Sequence, residues 1–535
     1  MGGDSGRRQV LDHHHAALPG GVVIAEAQVM NEHLKDRHIL ILGLGLSGLA
    51  MARWCARLGA EVTVADTRAE PPQLETLRAE VPAAHFVAGS LNAELLADQG
   101  FSAIYRSPGL SPDEVAGLTA AAQGCGLSVE GELSLFVQAL EQLKAERSYA
   151  PSVLAITGTN GKTTVTSLTG QLVERAGKTV VVAGNIGPSL LDMLGQALDH
   201  DALPEVWVLE LSSFQLDAVT HFEPAASTIL NLTQDHLDWH GDMAAYAAAK
   251  AKIFGASGVM ILNRDDPLVA SLRPPVPTGK AAKLPQRPVL TFGAGLPEAP
   301  EDFGIEIVNG MAWLVRALEA DETLRRRKDA AQEIHLQRLM PVDALRIRGR
   351  HNAVNALSAL ALAVSCGCQL APMLYGLREY RGEPHRVESI GMLGDVEYFD
   401  DSKGTNVGAT VAALNGLGAD RRLVVILGGE GKGQDFSPLL QPVERFVRAV
   451  VLIGRDAEQI RAALEGSGVP LINASDMTEA VAFARENAQT GDAVLLSPAC
   501  ASFDMFRNYA HRADAFCAAV RDLAHAEGLE LEVPA

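Results

Sequence analysis

The stretch VLAITGTNGKTT, residues 153–164, joins a short apolar run to a glycine-containing turn and then to a helical pattern. An apolar run of this length, bounded by glycine, is typical of a strand buried on both faces in a parallel sheet. In a phosphate-binding loop of this strand–loop–helix form, backbone N–H groups surround the β- and γ-phosphates. Lys162 would add a fixed positive charge there, and the Thr163 hydroxyl could bind Mg²⁺. Ile156 stands where the longer form of this loop has glycine, so the loop is a shorter variant.

A second glycine-rich turn, GLGLSG at residues 43–48, follows the apolar run 38–42 and precedes a helical pattern that starts near Leu49. Asp66 lies 18 residues beyond Gly48, at the end of the next predicted strand. This G-x-G-x-x-G arrangement is the dinucleotide-binding fingerprint: the glycines allow close backbone approach, and the helix N-terminus binds a phosphate. Taken alone it predicts NAD, so an NAD-dependent oxidoreductase is a rival hypothesis. A purely structural turn is the other alternative.

Strands alternate with helical stretches in three successive segments of the chain. Further apolar runs predicted as strands are 206–211 and 227–232 in the second segment, and 423–427, 449–453 and 493–497 in the third. The alternation predicts an α/β protein of three domains: an N-terminal Rossmann-like domain, a central P-loop ATPase-type parallel sheet and a C-terminal Rossmann-like domain with another parallel sheet. The predicted boundaries are an N-terminal extension at 1–37 and domains at 38–140, 141–383 and 384–535. Residues 272–345 are an elaborated region of the second segment, and prolines break regular structure at its start. We interpret the basic run of this region, residues 325–328, as a solvated helix face.

Composition argues against several classes of protein. The 535 residues carry 65 acidic and 45 basic side chains, a formal net charge of −20, and 47% of them are hydrophobic. This argues against disorder and gives no support to nucleic-acid or membrane-surface binding, which need a basic face.

No apolar run approaches the ~20 residues that span a bilayer. The first 21 residues, with His13, His14 and His15, contain no signal-peptide core and are interpreted as a loose extension. Six cysteines are too few for a disulfide framework, so we expect buried or inert thiols and a cytoplasmic, reducing location.

Two more predicted strands carry polar residues at or near their ends. Glu210 lies within the apolar run 206–211, where a carboxylate is costly unless it is paired or binds a metal. Mg²⁺ beside Lys162 would supply that partner, and a buried salt bridge is the alternative. Asp235 and His236 follow the run 227–232, at the carboxyl end of its strand, where open α/β sheets bind ligands. The coincidence of three such sites favours a functional role for His236 over a structural one.

In their order along residues 38–525, these motifs resemble those of the Mur ligases, ATP-dependent enzymes that form amide bonds in peptidoglycan synthesis. The motifs that carry the resemblance are GLGLSG (43–48), DTR (66–68), SPG (107–109), the Lys162 loop, GNIG (184–187), ELSSFQL (210–216), DH (235–236), HN (351–352) with Asn355, PHR (384–386), DSKGTN (401–406), GGEGK (428–432) and SPACAS (497–502). In that family the N-terminal domain holds the UDP end of the substrate and binds no NAD.

The resemblance implies three groups of binding residues. The group implied to contact UDP is Leu46, Ser47, Asp66, Thr67, Arg68, Ser107, Pro108 and Gly109. The group implied to bind ATP is Gly158, Thr159, Asn160, Gly161, Lys162, Thr163, Thr164, Asn352, His385, Arg386 and Asp401, of which Asp401 would hold the ribose. The group implied to bind D-glutamate is Lys403, Thr405, Lys432, Ser502 and Tyr509. The sequence departs from the family at Asp400, where we expect Asn, and at Tyr509, where we expect Phe.

The resemblance also implies a catalytic group. Its members are Lys162, Asn185, Glu210, His236 and Lys250, with Mg²⁺ at two sites, one at Thr163 and Glu210 and one at His236 and Lys250. Lys250 lies in an Ala-rich helical pattern, and its position alone predicts an exposed lysine. In the family the equivalent lysine is carbamylated by CO₂ and acts through Mg²⁺, and the spacing to Tyr246 favours Lys250 over Lys252.

The implied reaction is a two-step ligation. The carboxylate of UDP-N-acetylmuramoyl-L-alanine attacks the γ-phosphate of ATP, and the amine of D-glutamate then attacks the resulting acyl phosphate. We expect a monomer with these three partners, and neither a nucleic-acid nor a membrane partner. Two alternatives remain beside the oxidoreductase. One is a nucleotide-gated protein that binds ATP without consuming it, and the other is a sister ligase that adds L-alanine or a diamino acid. The SPACAS stretch argues for D-glutamate.

Overall fold

A computed structural model describes residues 34–97, 99–320 and 333–533 of the chain. The three N-terminal histidines and the basic run 325–328 lie outside these ranges. Four sheets organise the described residues, and five clusters of buried hydrophobic side chains pack around them. The α/β fold class predicted from the alternating pattern is confirmed.

The first segment is a five-stranded parallel sheet in the order β3-β2-β1-β4-β5. Its strands are β1 (His38–Leu42), β2 (Glu61–Asp66), β3 (His85–Ala88), β4 (Ala103–Arg106) and β5 (Val129–Glu130), and its helices are α1 (Leu46–Arg57), α2 (Leu74–Glu80), α3 (Ala116–Gly124) and α4 (Glu132–Arg147). The strand order reverses between β1 and β4, and open sheets bind ligands at such a point. Helix α1 begins at Leu46 and not near Leu49, so the glycine turn is tighter than the sequence pattern indicated.

The second segment contains a six-stranded parallel sheet in the order β11-β10-β9-β6-β8-β7. Its strands are β6 (Ser152–Thr157), β7 (Val180–Gly184), β8 (Val206–Glu210), β9 (Ala226–Ile229), β10 (Val259–Asn263) and β11 (Val289–Phe292). Its helices are α5 (Lys162–Arg175), α6 (Leu190–Asp199), α7 (Ser213–Asp217), α8 (Leu237–His240), α9 (Met243–Ala251), α10 (Pro267–Ala270), α11 (Arg350–Ser365) and α12 (Leu370–Glu379).

The elaborated region of this segment contributes β11 to the large sheet and forms a separate antiparallel sheet. That sheet consists of β12 (Phe303–Val308), β13 (Met311–Glu319) and β14 (Ile334–Pro341). Its buried residues, such as Phe303 and Leu314, pack with α11 residues such as Leu357 in one hydrophobic cluster. The small sheet therefore covers one side of the central core.

The third segment is a seven-stranded sheet in the order β19-β18-β17-β20-β16-β15-β21. Its strands are β15 (Glu388–Leu393), β16 (Val396–Asp400), β17 (Leu423–Gly428), β18 (Val447–Ile453), β19 (Leu471–Asn473), β20 (Ala493–Leu496) and β21 (Leu531–Glu532), and its helices are α13 (Val407–Gly418), α14 (Leu440–Phe446), α15 (Ala457–Leu464), α16 (Met477–Asn487) and α17 (Tyr509–Glu527). Strands β16 to β20 pair in parallel, as expected, but the sheet also has antiparallel strands at one edge that were not predicted. A two-residue turn makes β15 and β16 an antiparallel hairpin, and β21 pairs antiparallel with β15.

The predicted strand 227–232 is shorter than expected, because β9 ends at Ile229. The next residues leave the sheet to support the phosphate loop. The Asn231 carbonyl accepts a hydrogen bond from the Thr159 N–H at 3.0 Å, and its side-chain oxygen accepts one from the Asn160 N–H at 2.8 Å. The hydrogen bonds between Asn231 and the phosphate loop therefore take the place of further strand pairing after Ile229.

All six cysteines lie in the described residues, and all are free thiols. Cys55, Cys368 and Cys500 are buried, as expected, whereas Cys125 is exposed, so for Cys125 the expectation of an inert thiol stays a prediction. Among the residues that the structure describes, no helix has the length and apolar character needed to cross a membrane.

The first and second segments meet along α1, α4 and α6. Arg53 of α1 bonds Asp192 of α6 at 3.3 Å, and Arg57 bonds Asp199 at 2.7 Å. Glu132, the first residue of α4, is 3% exposed, and it accepts a hydrogen bond from the Leu191 N–H at 3.1 Å. Burial raises the pKa of Glu132 to about 7. The predicted domain boundary between residues 140 and 141 lies inside α4, and it stays a prediction.

Glu132→Gln should stabilise the fold at alkaline pH. Because the folded-state pKa of Glu132 is above its ordinary 4.5, its contribution to stability is complete below pH 4.5 and is lost as pH rises through 7. The difference between a pKa of about 7 and the ordinary 4.5, at about 1.36 kcal/mol per pH unit, limits this change in the free energy of unfolding to about 3 kcal/mol. Chemical denaturation should show that, between pH 5 and pH 8, the free energy of unfolding of the variant rises relative to that of the parent by up to this amount.

The matched control is Glu130→Gln, which alters an acidic side chain two positions earlier that accepts exposed hydrogen bonds from Ser128 and Thr220. This variant should follow the parent at every pH. A Glu132→Gln difference that does not change with pH would contradict the pKa assigned to the buried carboxyl.

Candidate active site

The phosphate loop connects β6 to α5 at the carboxyl edge of the central sheet. Gly158 and Gly161 adopt φ values of +154° and +82°. A Cβ atom on Gly158 would lie 3.0 Å from the Leu230 Cβ, so this position favours glycine for steric reasons as well. Lys162 is the first residue of α5, and its ammonium donates to the carbonyls of Gly158 and Thr159 at 2.9 and 2.8 Å. The lysine ammonium therefore lies against the carbonyls of the loop that precedes α5.

Lys250 is buried and not exposed, contrary to its helical pattern: only 2% of the residue is accessible. Its ammonium donates to the Thr157 hydroxyl at 3.1 Å and the Gly158 carbonyl at 3.0 Å, and it lies 4.8 Å from the centre of the Tyr246 ring. Burial, with the charge of Lys162, lowers the pKa of Lys250 well below its usual value. Burial also lowers the pKa of Lys162. The site thus brings two lysines with depressed pKa values to one loop.

Glu210 ends β8 beside this loop and is 1% exposed. Its Oε1 accepts a hydrogen bond from the Asn185 amide at 3.0 Å. Its Oε2 is buried and finds no hydrogen-bond partner among the described residues. Buried carboxylate oxygens without a protein partner commonly bind a cation, and Mg²⁺ prefers oxygen ligands. The chemistry of this side chain therefore fits a divalent cation beside the phosphates.

The third segment closes over the phosphate loop. The guanidinium of Arg386 donates to the Thr163 hydroxyl at 3.0 Å. The side-chain amides of Asn160 and Asn406 exchange hydrogen bonds at 3.4 and 3.2 Å. These contacts join residues more than 200 positions apart, so the structure shows the second and third segments in a closed arrangement.

A cavity between these two segments is lined by residues of the phosphate loop, α11 and the third segment. They include Asn160, Thr164, His351, Asn352, Asn355, Arg386 and Asp401. Burial lowers the pKa of His351 to about 4, so its ring is neutral at physiological pH. His351 and Asn355 belong to a motif quoted above but received no role from the sequence. Their position at the start of a helix after Gly349 was the signal available for them.

Asp401 lines this cavity, and its carboxylate accepts hydrogen bonds from the Ser497 hydroxyl at 2.6 Å and the Val387 N–H at 3.2 Å. Burial raises its pKa to about 7. His385 is not among the residues that line the cavity. Its Nδ1 pairs with Asp400 at 2.7 Å, so the departure at Asp400 gives this histidine an anionic partner.

A second cavity lies beyond the end of β9 and is lined in part by Asn406, which bonds Asn160 of the phosphate loop. It is lined by Asp235, His236, Thr405 and Lys432, among others. His236 has a left-handed backbone, with φ of +53°, and its ring packs edge-on against Phe214 at 4.8 Å. The structure therefore brings His236 together with two of the five residues expected to bind D-glutamate.

The other three members of that group lie around the same loops. The Lys403 ammonium lies 5.7 Å from the centre of the Tyr509 ring, and Ser502 is buried. Arg512 holds both loops together, because its guanidinium donates to the Ser402 carbonyl at 2.8 Å and to the Cys500 carbonyl at 3.0 Å. No motif in the sequence singled out this buried arginine.

The group expected to contact UDP lies at the carboxyl edge of the first sheet. Asp66 ends β2, and its carboxylate accepts hydrogen bonds from the Leu44 N–H at 2.7 Å and from the Arg68 guanidinium at 2.8 Å. The Arg68 hydrogen bond is the main cause that lowers the pKa of Asp66 to about 2. The Ser107 hydroxyl donates to the Gly43 carbonyl at 2.9 Å, which joins the two loops at the β1–β4 switch point. Leu46 is 73% exposed at the start of α1.

Three family models match the chain in succession. They are the Mur ligase MurD-like N-terminal domain at residues 37–128, the Mur ligase middle domain at 156–363 and the Mur ligase glutamate ligase domain at 385–500. Together they cover the glycine loops, the phosphate loop and the third-segment motifs described above.

Proteins of similar sequence cover nearly the whole chain. A UDP-N-acetylmuramoylalanine–D-glutamate ligase of Albidiferax ferrireducens is 65% identical over 499 residues, which are 93% of this chain and 99% of that protein. Proteins with the same name from Polaromonas and Burkholderia thailandensis are 56% and 57% identical, over 93% and 92% of this chain and 100% and 98% of their own lengths.

A solved structure supports the fold. The crystal structure of MurF from Acinetobacter baumannii superposes with a TM-score of 0.51 at 19% identity, over 91% of this chain and 92% of that one. At this identity the likeness shows the three-domain α/β architecture alone. On the family models and the 65% identical relative, the chain belongs to the Mur ligase family.

Proposed function

We propose that this chain is an ATP-dependent ligase that adds D-glutamate to UDP-N-acetylmuramoyl-L-alanine in peptidoglycan precursor synthesis. The observation that carries the proposal is the closed junction of the second and third segments, where Arg386 contacts Thr163 of the phosphate loop. Asn406, which lines the cavity with His236, Thr405 and Lys432, exchanges hydrogen bonds with Asn160 of the phosphate loop, and this supports an amino-acid pocket near the phosphates. The names of the relatives at 56–65% identity support the choice of substrates.

The chemistry has two steps. The alanyl carboxylate attacks the γ-phosphorus of ATP, and ADP leaves with the bridging oxygen, so the carboxylate becomes an acyl phosphate. The amine of D-glutamate then attacks the acyl carbon. The tetrahedral intermediate expels inorganic phosphate and loses a proton to give the amide. Phosphorylation is required because a free carboxylate has a poor leaving group. Positioning and neutralisation of phosphate charge supply the catalysis.

The central segment would bind the phosphates of ATP. The N–H groups of Thr159 and Asn160 already donate to Asn231, so the N–H groups at residues 161–164 and the Lys162 ammonium would bind the β- and γ-phosphates. Asn185 would orient Glu210 and contact the transferring group. Mg²⁺, when bound at Thr163 and Glu210, neutralises phosphate charge. The buried second oxygen of Glu210 supports this assignment.

Lys250 is proposed to carry a carbamate. A neutral amine attacks CO₂ to form the N–C bond, and one proton is released. Burial lowers the pKa of Lys250, which favours the neutral amine that this reaction needs. The product is an anion, which would hold a second Mg²⁺ together with His236. The Thr157 hydroxyl and the Tyr246 ring, which contact the ammonium, would orient the modified side chain.

The third segment supplies the amino-acid pocket. Lys403 and Lys432 would bind the two carboxylates of D-glutamate, with Thr405, Ser502 and Tyr509 around them. The cavity between the segments would take the rest of ATP, with Asn352 and Arg386 near the adenine or phosphates and Asp401 on the ribose. His385 would act from outside that cavity, through its ion pair with Asp400.

The first segment would hold the UDP end of the substrate. Leu46, Ser47, Thr67 and Arg68 would contact uridine and phosphates at the switch point of the sheet.

We further propose the domain limits 38–140, 141–383 and 384–535, a monomeric state and a cytoplasmic location. An NAD-dependent oxidoreductase leaves the phosphate loop, Glu210 and Lys250 without a role, so it is the weaker hypothesis.

Lys250→Arg should abolish the carbamate and reduce turnover on the order of a hundredfold, because guanidinium does not trap CO₂ and the variant loses an anionic ligand. With ¹³CO₂, the parent protein should give a ¹³C carbamate resonance that this variant lacks. The control is Lys252→Arg, which changes an exposed lysine two positions away whose ammonium donates to the Asp217 carbonyl. A carbamate resonance that persists in Lys250→Arg, or that disappears in Lys252→Arg, would refute the assignment.

Glu210→Gln should raise the Mg²⁺ concentration for half-maximal activity by at least about tenfold, because an amide is a weaker cation ligand than a carboxylate. Glu205→Gln, which alters an exposed carboxylate just before β8, is the control and should leave the Mg²⁺ titration unchanged. An unchanged Mg²⁺ dependence in Glu210→Gln would mean that the buried carboxylate does not bind the cation.

The proposed function is tested by phosphate release with Mg²⁺-ATP, UDP-N-acetylmuramoyl-L-alanine and one of D-glutamate, L-glutamate, L-alanine or meso-diaminopimelate. We expect release only when the UDP substrate and D-glutamate are both present. Release with a different amino acid would keep the ligase chemistry and overturn the amino-acid pocket. No release from folded protein would favour the nucleotide-gated binding protein.

A further inference from the structure

A buried cation lies at the end of β4, directly before the loop 107–109 that is proposed to contact UDP. Only 5% of Arg106 is exposed, and its Nη1 donates to the Leu110 carbonyl at 2.5 Å. The guanidinium therefore holds the far end of the loop that begins beside it. Neither the motifs quoted from the sequence nor the proposed mechanism uses Arg106.

The same guanidinium also contacts the second segment. Its Nη2 donates to the carboxylate of Asp217, the last residue of α7, at 2.6 Å. Its central carbon lies 5.5 Å from the centre of the Trp239 ring in α8, a distance typical of a cation–π contact. Arg106 thus joins a loop of the first sheet to two helices of the central segment.

Both of those helices adjoin residues of the central site. Helix α7 begins at Ser213, directly after the strand that ends at Glu210. The Trp239 ring packs against the Phe214 ring at 4.6 Å, and Phe214 in turn contacts the His236 ring at 4.8 Å. A substrate held by its UDP end at loop 107–109 and reacting near Glu210 and His236 has to cross the interface that Arg106 bridges.

Two other ion pairs between these segments are more exposed. Arg53 pairs with Asp192 and Arg57 with Asp199, and the two arginine side chains are 35% and 40% exposed. Exposed ion pairs contribute little to stability, whereas the loss of one partner of a buried pair leaves an uncompensated charge. Arg106 is therefore the stronger restraint, and it is the one that lies beside the UDP loop.

We propose that Arg106 is a positioning residue that, through Leu110 and Asp217, holds the UDP loop 107–109 at a fixed position relative to the central site. Arg106 acts through the loop and makes no contact with the substrate. Because this role rests on the proposed function, its test compares the UDP substrate with the other two substrates.

The first test is steady-state kinetics on Asp217→Asn, which removes the anion that pairs with Arg106. Loss of this charged hydrogen bond should raise the KM for the UDP substrate about fivefold to tenfold. The KM values for ATP and D-glutamate should stay within about twofold. Asp199→Asn is the matched control, because it removes the anion of an exposed pair between the same two segments and away from the loop. It should behave as the parent.

A double variant separates positioning from general stability. Asp217→Asn leaves a buried cation unpaired, so its unfolding midpoint should fall. Arg106→Met with Asp217→Asn leaves no unpaired charge, so its midpoint should rise again. Its KM for the UDP substrate should nevertheless stay about fivefold or more above that of the parent, because nothing then holds Leu110. A KM for the UDP substrate that recovers with stability, or a parallel rise of all three KM values, would overturn the proposal.

Arg106→Lys keeps the test decisive if the double variant does not fold. Lysine keeps the charge beside Asp217 but has no second nitrogen with which to hold the Leu110 carbonyl. This variant should show the same rise in the KM for the UDP substrate, and an unchanged KM would overturn the proposal.

Calorimetric binding of the UDP substrate to the parent protein distinguishes failure of the proposed function from failure of the positioning role. Binding without turnover would mean that the ligase reaction is wrong, and the positioning role is then measured in the same variants as a change in Kd. Turnover by the parent with an unchanged KM in both Asp217→Asn and Arg106→Lys would mean that the reaction stands and the positioning role is wrong. No binding would overturn both.

Discussion

Two lysine ammonium groups, Lys162 and Lys250, lie at the carboxyl edge of one parallel sheet where burial disfavours their charge. Phosphate would stabilise the charge of Lys162, whereas the same burial favours the neutral amine of Lys250 that the proposed carbamate requires. The loop between β6 and α5 presents carbonyls to both ammonium groups, Glu210 lies beside them, and the helix start leaves N–H groups free for phosphate. The positive φ values of Gly158 and Gly161 shape this loop, Asn231 supports it after the short β9, and Arg386 contacts it from the third segment.

Much of the fold could be predicted from the sequence. Parallel strands buried on both faces produce continuous apolar runs, so β6, β8, β17 and β20 were recognisable, and the glycine turns marked where ligand loops begin. The antiparallel β15 and β21 were not predicted, since β21 is two residues long and β15 contains Gly391 at an irregularity in its pairing. Strand ends were the least accurate feature, because loop contacts such as those of Asn231 decide where pairing stops.

At the candidate site, too, local features could be predicted from the sequence, whereas contacts between distant segments could not. Residues on motifs could be placed because loop chemistry is local: Lys162, Thr163 and Asp66 lie where their spacing predicted. Lys250 could not be derived from its own helix, since its burial comes from packing against the distant loop at Thr157, and only the family resemblance singled it out. Glu132, Arg512 and the pair of His385 with Asp400 act through contacts across segments, and no local pattern announces such contacts.

In the proposed mechanism one closed site transfers the γ-phosphoryl group of ATP to a substrate carboxylate before the amide forms. The most direct measurement uses UDP-N-acetylmuramoyl-L-alanine labelled with ¹⁸O in the alanyl carboxylate, with ATP and D-glutamate, and mass analysis of the released phosphate. An acyl phosphate requires that one carboxylate oxygen leave with phosphorus, so we expect one ¹⁸O atom in each phosphate released. Phosphate without ¹⁸O, formed at the same rate as the amide, would rule out the acyl phosphate, because the carboxylate would then never have been phosphorylated.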